Sequence, residues 1–465
     1  MTQSHPTIIL GAGCAGLAAA YRLRKKGRDV VVIEAEDHAG GLAGGIRIQG
    51  SVYEYGPHIF HTTDPEILAD VKELMGAELL PYKRTIQIKF LGNYFQFPLS
   101  IPDVLQKLPL LTVLHAALSF AYWFVRGALI KPPVENSETV LKRYYGDVLY
   151  RLFFRDYITR VWGIGPSAFS PAFARERIPR FNILEWWERA GAALGKGLGR
   201  RKIATQGYVE KVEGELYTTK EGFSLITRKM AERLVQAGAV ISFQTRAVEI
   251  QREGDRVTGV TVERGGRRET LACGALVNTL PINDFAMAFQ PPLGPEAAES
   301  AAALRFRAIV FVGLKVRRPK VLQASFMYFR EHSFNRVTDL AHFGFQIDPP
   351  GRTLLVAEVT CDPKDAVWSD EALVKESVVA DLVKENILSR DEVEEMHVFR
   401  TRHGQPMYTL GYEKALASLL GAFAGLENVE TAGRQGRFQY VNTHVAMKMG
   451  YEAADRLLAR PGAGL

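Results

Sequence analysis

The sequence has 465 residues, 47% hydrophobic and 23% charged, a balance that excludes a largely disordered chain and predicts two or three interleaved domains. The net charge of +7 fits an anionic ligand or membrane surface, and because no basic run carries interleaved aromatics we expect no nucleic-acid partner. Cys14, Cys273 and Cys361 share no metal-ligand spacing, so we expect no metal site and a reducing, cytoplasmic compartment.

The first sixty residues predict a strand, a glycine-rich turn, a helix and a second strand. The apolar run Thr7–Leu10 leads into the G-x-G-x-x-G segment Gly11–Gly16, and a helical pattern with a basic last turn follows. The second apolar run, Asp29–Ile33, ends at Glu34. Because strand, motif, helix, strand and acid occur in this order at the expected spacing, the segment predicts a dinucleotide-binding βαβ unit.

Each residue of this motif has a physical reason. Gly11 permits a tight turn, Gly13 lets the backbone approach a pyrophosphate, and Gly16 allows the helix to pack closely on the strand. The N-terminus of the helix attracts the phosphate charge, and Glu34 can accept hydrogen bonds from ribose hydroxyls. The predicted nucleotide contacts in this unit are Gly11, Gly13, Cys14, Ala15, Gly16, Glu34 and Ala35.

A second glycine-rich loop, Gly40–Gly45, follows shortly after Glu34. This loop resembles the extended fingerprint of FAD proteins in the glutathione-reductase-like class, which includes amine oxidases, desaturases and UDP-galactopyranose mutases. The resemblance implies that Gly41 and Leu42 lie close to FAD. NAD as the tightly bound cofactor is the alternative, and NADH or NADPH is a candidate reductant of the flavin.

The remaining elements in chain order predict an α/β fold with a discontinuous, Rossmann-type cofactor domain. Asp64–Ala77 has a helical pattern, a hairpin covers 86–96, and the following hundred residues are mostly helical. Alternating strands then return to the cofactor domain. We predict a cofactor domain of 1–63, 216–290 and 415–465, a largely helical substrate domain of 64–215 that includes the hairpin, and a mixed-sheet substrate domain of 291–414.

The segment Leu108–Ile130 is long, apolar and nearly free of charge. It leaves three structures open: a helix buried in the substrate domain, a helix that contacts a membrane surface, and a membrane span. Tyr122 and Trp123 lie toward one end, as in an interfacial helix. Peripheral contact through 108–130 would associate the protein with the inner face of the cytoplasmic membrane.

Four further segments, in chain order, resemble motifs of UDP-galactopyranose mutases. They are the Y-G-x-H-I-F-H-T segment Tyr55–Thr62, the segment Tyr157–Gly163 followed by Arg177–Pro179, the segment Leu304–Arg307, and the C-terminal G-R…Y-x-N-x-H of Gly433–His444. Because the four segments keep the same order over nearly the whole chain, chance does not explain the resemblance. In this family reduced flavin N5 attacks the anomeric carbon of a nucleotide-activated sugar, and the ring recloses between pyranose and furanose forms.

The resemblance implies a role for individual residues. Tyr157 and Trp162 match positions at the uridine end, while Arg177 and Arg307 match the arginines that clamp the diphosphate with a bidentate geometry. The implied catalytic set is His58, His61, Arg177, Arg307 and Tyr440. The implied substrate contacts are Tyr157, Trp162, Arg177, Arg307, Phe334 and Tyr408. The implied further FAD contacts are Gly56, Pro57, His58, Val248, Gly433, Arg434, Tyr440 and Asn442.

Two departures from the family pattern keep other functions open. Asn442 replaces the acidic residue of the C-terminal motif, and Phe334 stands where the family has a tyrosine that meets the diphosphate. The first alternative is an FAD-dependent oxidase or desaturase of a lipophilic substrate at a membrane surface, similar to protoporphyrinogen oxidases and isoprenoid desaturases. The second is a flavin-binding protein without catalysis. A homodimer is a further candidate assembly.

Overall fold

The computed structural model describes residues 5–130, 134–179 and 214–460. Its first layer, called the cofactor layer below, is a five-stranded sheet whose strands come from separate segments of the chain. Every strand pairing in this sheet is parallel. Its strands in spatial order are Val240–Ser242, Val30–Ile33, Thr7–Leu10, Ala275–Asn278 and Val429–Thr431. Because helices cover a parallel sheet, its central strands are apolar and buried. The predicted α/β class and discontinuous cofactor layer are confirmed.

Three helices pack on this sheet: Cys14–Lys25, Ser224–Gln236 and Thr443–Ala459. The first and last of them approach so closely that a Cβ at Gly450 would overlap the carbonyl oxygen of Ala15. This contact fixes the C-terminal helix against the glycine-rich turn. The last helix therefore brings the C-terminal motif to the N-terminus of the first.

Smaller sheets surround this layer. A four-stranded sheet follows the order Arg267–Ala272, Arg256–Arg264, Arg246–Glu253 and Phe289–Gln290. A hairpin pairs Gly45–Ile48 with Ser51–Glu54, and a three-stranded sheet follows the order Phe60–His61, Leu216–Thr218 and Leu80–Pro81. In the last of these sheets, Phe60–His61 of the segment that resembles the mutase motif pairs with Leu216–Thr218, where the chain returns to the cofactor layer.

A seven-stranded mixed sheet forms the second layer. Its strands in spatial order are Val393–Pro406, Phe306–Val316, Thr353–Cys361, Arg336–Asp339, Phe326–Phe329, Ile86–Phe90 and Asn93–Gln96. The last two strands are the predicted hairpin. Its first strand pairs in parallel with Phe326–Phe329, so the hairpin belongs to this sheet, although the prediction grouped it with the helical segment. The predicted domain boundaries otherwise stay predictions.

Helices fill the space between the layers and the molecular surface. In the predicted helical segment they are Pro65–Met75, Ile101–Lys107, Leu110–Leu129, Ser137–Leu149, Asp156–Trp162 and Pro171–Arg177, with a π-helical turn at Tyr150–Arg155. Residues 180–213, the end of that predicted segment, lie outside the described residues. The remaining helices are Ile282–Met287, Pro295–Ala303, Ala366–Ser369, Glu371–Lys384, Tyr412–Ala424 and Gly433–Gly436. Single 3₁₀ turns occur at Gly41–Ala43, Gly76–Glu78, Pro166–Ala168, Leu340–Phe343 and Arg390–Glu392.

The helix Leu110–Leu129 lies on the surface. Only 6% of the window Leu110–Gly127 is buried, which excludes the first of the three alternatives, a helix buried in the substrate domain. Among the described residues this is the one helix whose length and composition alone would suffice to cross a membrane. Its apolar side chains face outward because only one narrow side packs on the neighbouring helix Ser137–Leu149.

Candidate functional site

The glycine-rich turn between the first strand and the first helix has the geometry that its sequence predicts. Gly11 adopts a φ of +98°, and a Cβ there would meet Thr279 Oγ1 at 2.5 Å. A Cβ at Gly16 would overlap the carbonyl oxygen of Gly11. Both glycines are therefore required by the protein itself, one for a left-handed turn and one for helix–strand packing.

Gly13 differs from these two because nothing in the protein crowds it. A Cβ at Gly13 would have its nearest neighbour, the carbonyl oxygen of Gly40, at 3.9 Å. Gly13 instead borders a cavity of about 410 Å³, the nucleotide cavity, at the N-terminus of the first helix. The fold alone does not require a glycine at position 13. A glycine here does allow a pyrophosphate to contact the backbone closely at the open helix N-terminus.

Glu34 is placed to receive the ribose. One carboxylate oxygen accepts from the backbone N–H of Ala12 at 2.7 Å, and the other accepts from the N–H of Glu36 at 3.0 Å. Burial raises the pKa of Glu34, and these two backbone donors oppose the shift. The carboxylate borders the nucleotide cavity with lone pairs left for hydroxyl groups. The residues around the first turn therefore fit the adenosine and pyrophosphate of FAD.

The second glycine-rich loop closes over the same turn. The N–H of Gly40 donates to the carbonyl of Ala12 at 2.8 Å, and Gly40 and Gly41 both have positive φ. The predicted cofactor residues that line the nucleotide cavity are Gly11, Gly13, Cys14, Ala15, Glu34, Gly41, Leu42, Pro57, His58, Gly433, Arg434, Tyr440 and Asn442. Gly16, Ala35, Gly56 and Val248 do not line it.

His58 and His61 both border the nucleotide cavity. The imidazole of His58 is buried and its Nδ1 has no hydrogen-bond partner among the described residues. Burial lowers the pKa of His58 to about 3, and the nearby charges of Arg434 and Arg336 act in the same direction. His58 is thus a neutral group at physiological pH, suited to hydrogen bonding and not to donating a proton as an imidazolium.

We expect this histidine to make stability fall in mild acid. The unfolded chain protonates His58 as the pH falls through about 6.5, whereas the folded protein leaves it neutral down to about 3. Lowering the pH from 7 to 4 therefore costs up to about 1.4 kcal/mol of unfolding free energy per pH unit from this group. Urea unfolding at several pH values should show a shallower loss in His58→Gln than in the wild type. Replacement of the exposed His115 is the control, and an unchanged slope in His58→Gln would contradict the assignment.

A second cavity of about 160 Å³, the aromatic cavity, adjoins the first. Tyr157, Trp162 and Arg177 line it, as predicted for substrate contacts, and so do further aromatic side chains such as Phe97 and Phe153. Five residues border both cavities: Tyr328, Arg336, Glu358, Gln405 and Tyr440. The two cavities are therefore neighbours with one shared wall.

Arg177 stands in that wall region as a buried cation. Its guanidinium lies 4.0 Å from the ring centre of Tyr440 and 4.5 Å from that of Trp162. Nη1 donates to Oε1 of Gln405 at 2.7 Å and Nη2 to the carbonyl of Pro406 at 3.0 Å, and Nε has no partner among the described residues. Burial lowers the pKa of Arg177, the nearby charge of Glu176 opposes this shift, and no carboxylate of the described residues forms an ion pair with the guanidinium.

The shared wall contains an ion pair that was not predicted from the sequence. Arg336 forms a bidentate ion pair with Glu358, at 2.6 Å and 2.8 Å, in the interior between the two cavities. The carboxylate raises the pKa of Arg336 well above its usual value. Gly56 has a φ of +104°, and a Cβ there would meet Oε1 of Glu358 at 2.8 Å. A glycine at position 56 therefore leaves room for the carboxylate of the ion pair, and Gly56 does not line the nucleotide cavity.

Three predicted substrate residues lie outside both cavities. Arg307 donates through Nε to the carbonyl of Val161 at 2.9 Å and packs against Gly163. Phe334 is buried in the core against Phe329. Tyr408 stacks on Tyr412 and its hydroxyl accepts from the N–H of Tyr440.

These positions have physical reasons. The partner strand Val393–Pro406 has extra residues between Thr401 and Gln405, which pair with Ile309 and Arg307, and Ile309 lines the nucleotide cavity whereas Arg307 does not. Arg177 therefore borders a cavity, whereas Arg307 does not. Tyr408 supports Tyr440 from behind the cavity wall. The roles assigned to Arg307, Phe334 and Tyr408 by resemblance have no support from their placement.

Comparison with known proteins agrees with this geometry. The sequence profile of the family described as flavin containing amine oxidoreductase matches residues 14–458. A probable UDP-galactopyranose mutase of Klebsiella pneumoniae is 30% identical over 179 residues, 38% of this chain and 45% of that protein. A phytoene dehydrogenase of Streptomyces griseus is 27% identical over 304 residues, 59% of this chain and 54% of that protein. The chain thus spans about half the length of these curated relatives.

The fold is also known. A crystal structure of reduced UDP-galactopyranose mutase superposes with a TM-score of 0.79 at 19% identity, covering 98% of this chain and 95% of that one. At such low identity the likeness establishes the shared fold.

Proposed function

The chain belongs to the flavin containing amine oxidoreductase family and is a flavin-dependent enzyme, and on that premise we propose that it acts at the anomeric carbon of a nucleotide-activated sugar. The proposed reaction exchanges pyranose and furanose rings, as the resemblance to UDP-galactopyranose mutases implies. The partial alignment with a probable mutase and the four ordered motifs support this reaction. The residues between the two cavities support an anionic substrate.

The observation that carries the proposal is the buried guanidinium of Arg177. A charge removed from water is costly unless an opposite charge accompanies it. Within the described residues the nearest acceptors of Arg177 are a neutral amide and a backbone carbonyl. A phosphate group of the substrate would complete this environment with charge-assisted hydrogen bonds. An arginine in this position that has no ion-pair partner among the described residues therefore favours an anionic substrate.

The two cavities suit the two ends of such a substrate. From a diphosphate at Arg177, the base would extend into the aromatic cavity, where the partly exposed Tyr157 offers a ring for stacking and the buried Trp162 forms the wall behind Arg177. The sugar would extend toward Tyr440, which borders both cavities. Bound reduced flavin would supply a nucleophilic nitrogen at that point.

Tyr440 is held at the junction by two cations. The guanidinium of Arg177 lies 4.0 Å from its ring centre and that of Arg434 lies 4.8 Å from it. Such cation–π contacts orient a ring without occupying its edge. Tyr440 would thus form a fixed wall against the sugar, and neutral His58 would offer a hydrogen bond nearby in the nucleotide cavity.

A direct assay tests this function. Protein loaded with FAD and reduced with dithionite should convert UDP-galactopyranose, or a related nucleotide sugar, to the furanose form, as followed by chromatography. Oxidised protein and dithionite-reduced free FAD should show no conversion. If a panel of nucleotide sugars yields no furanose and leaves the spectrum of the reduced flavin unchanged, the proposal fails.

A second candidate is the oxidation or desaturation of a lipophilic substrate. Its support is the apolar lining of the aromatic cavity and the alignment with a phytoene dehydrogenase. Anaerobic bleaching of the oxidised flavin by an isoprenoid or porphyrinogen compound would favour it over ring exchange. NADH or NADPH as reductant, a homodimer and a cytoplasmic location remain predictions of the sequence.

A further inference from the structure

The helix Leu110–Leu129, called the apolar helix below, exposes an unusually large hydrophobic surface. Leu110, Leu111, Leu118 and Leu129 are each more than 70% exposed. The other exposed large apolar residues in and after it are Leu114, Tyr122, Phe124, Val125 and Ile130. Single exposed hydrophobic residues need no explanation, but a continuous surface of this kind marks an interaction site.

The opposite side of the apolar helix is fixed to the protein. Ala116 is buried, and Ser119 Oγ accepts hydrogen bonds from the backbone N–H groups of Asp147 and Val148 at 2.8 Å and 3.3 Å. Gly146 has a φ of +73°, and a Cβ there would lie 2.6 Å from the backbone nitrogen of Phe120. The helix is therefore held along its length by Ser137–Leu149 and cannot cross a bilayer without it.

The shape of the exposed surface argues for a broad, flat partner. The exposed large apolar residues of the helix cover roughly 160° of its circumference at about 3.6 residues per turn. A pairing with the same helix of a second copy would cover a narrower stripe and leave much of this surface in water. Leu105 and Val134, which flank the helix in the chain, are also exposed. A lipid surface covers such an arc completely.

The polar groups of the apolar helix fit a lipid headgroup region. The helix contains no acidic residue and one basic residue, Arg126. Arg126 lies 5.0 Å from the ring centre of Trp123 and donates to the hydroxyl of Tyr122, with no carboxylate partner among the described residues. Tyrosine, tryptophan and arginine together are the side chains favoured where hydrocarbon meets headgroups. The net charge of +7 adds attraction to an anionic surface.

We propose that the apolar helix docks the protein on an anionic lipid bilayer, with the helix axis in the plane of the membrane and its outer face in the acyl boundary. The proposal does not depend on the nucleotide-sugar reaction, because it rests on a surface that contributes no residue to either cavity. The contact is peripheral and reversible.

Vesicle flotation tests the proposal on the complete, FAD-loaded protein. Wild type should float with vesicles of phosphatidylcholine and phosphatidylglycerol, and at least tenfold less with phosphatidylcholine alone. The double variant Leu114→Asp/Leu118→Asp, at the centre of the exposed arc, should lose at least tenfold of this binding. Val235→Asp/Met287→Asp changes two exposed apolar residues elsewhere by the same charge and should bind as wild type does.

Arg126→Glu should reduce the preference for phosphatidylglycerol while leaving flavin content unchanged. Bound protein should be released by alkaline carbonate, as a peripheral protein is.

Other outcomes would overturn the proposal. Failure of the wild type to float, or equal loss in both double variants, contradicts docking through this helix. Resistance to carbonate would indicate a span instead. If the wild type is a dimer that only Leu114→Asp/Leu118→Asp converts to a monomer, a second copy covers the surface. Flavin content and thermal midpoint of each variant establish that the fold is retained.

Discussion

Gly13→Ala should give a folded protein that no longer retains FAD. Gly13 has a φ of −74°, which alanine adopts without strain, and its Cβ would have no protein neighbour closer than 3.9 Å. The methyl group would instead occupy the space at the helix N-terminus where the pyrophosphate approaches the backbone. Loss of one or two charge-assisted hydrogen bonds, about 3 kcal/mol, would raise the Kd for FAD on the order of 100-fold.

Gly16→Ala is the matched comparison, because its methyl group would overlap the carbonyl oxygen of Gly11 inside the protein. We expect this variant to lose thermal stability whether or not FAD is present. Flavin titration and thermal unfolding of the two apoproteins would separate the effects. A Gly13→Ala protein that is purified yellow, with wild-type affinity for FAD, would remove the basis for placing the pyrophosphate at this turn.

The cofactor half of the site could be predicted because its signals are local in sequence. The spacing from Gly11 to Gly16 and on to Glu34 corresponds to one turn, one helix and one strand, whose geometry is nearly invariant. The second loop at Gly40 follows within a few residues and bonds directly to the first turn. No long-range packing has to be known to place these groups around one ligand.

The substrate half could not be predicted in the same way, because its residues are brought together by the mixed sheet. Arg336 and Glu358 meet through the pairing of two neighbouring strands, a register that the separate segments do not specify. Arg307 was assigned to the cavity by resemblance, yet in the fold it lies outside both cavities, beside an irregularity in the partner strand Val393–Pro406. Gly404 in that strand is a weak sign of such an irregularity, but it does not specify which side chains reach the cavity.

The apolar helix illustrates a different limit of prediction. Composition indicates that Leu110–Leu129 is a helix with few charges, but the same composition serves a core helix and a surface helix. The difference depends on how many neighbours pack on it, and here only Ser137–Leu149 makes extensive contact. Burial is a property of the assembled fold, and so the choice between these alternatives required the structure.

Arg177→Lys should lower kcat/KM for the nucleotide sugar on the order of 100-fold, with FAD still bound. Lysine keeps the charge but loses the planar fork that can hold a phosphate while it also donates to Gln405 and Pro406. Arg177→Met should be inactive with FAD still bound. Its thermal midpoint should change little when substrate is absent, because removing the desolvation cost of the cation offsets the loss of its hydrogen bonds to Gln405 and Pro406.

Arg307→Lys is the control, because the resemblance assigns Arg307 the same role while the structure places it outside both cavities. We expect its kcat/KM to change no more than about threefold and its thermal midpoint to fall, since Arg307 bonds a backbone carbonyl and packs on Gly163. Steady-state kinetics and thermal unfolding of the three variants decide the matter. Equal kinetic losses in Arg177→Lys and Arg307→Lys would mean that both arginines act on the substrate and would contradict the distinction drawn between them.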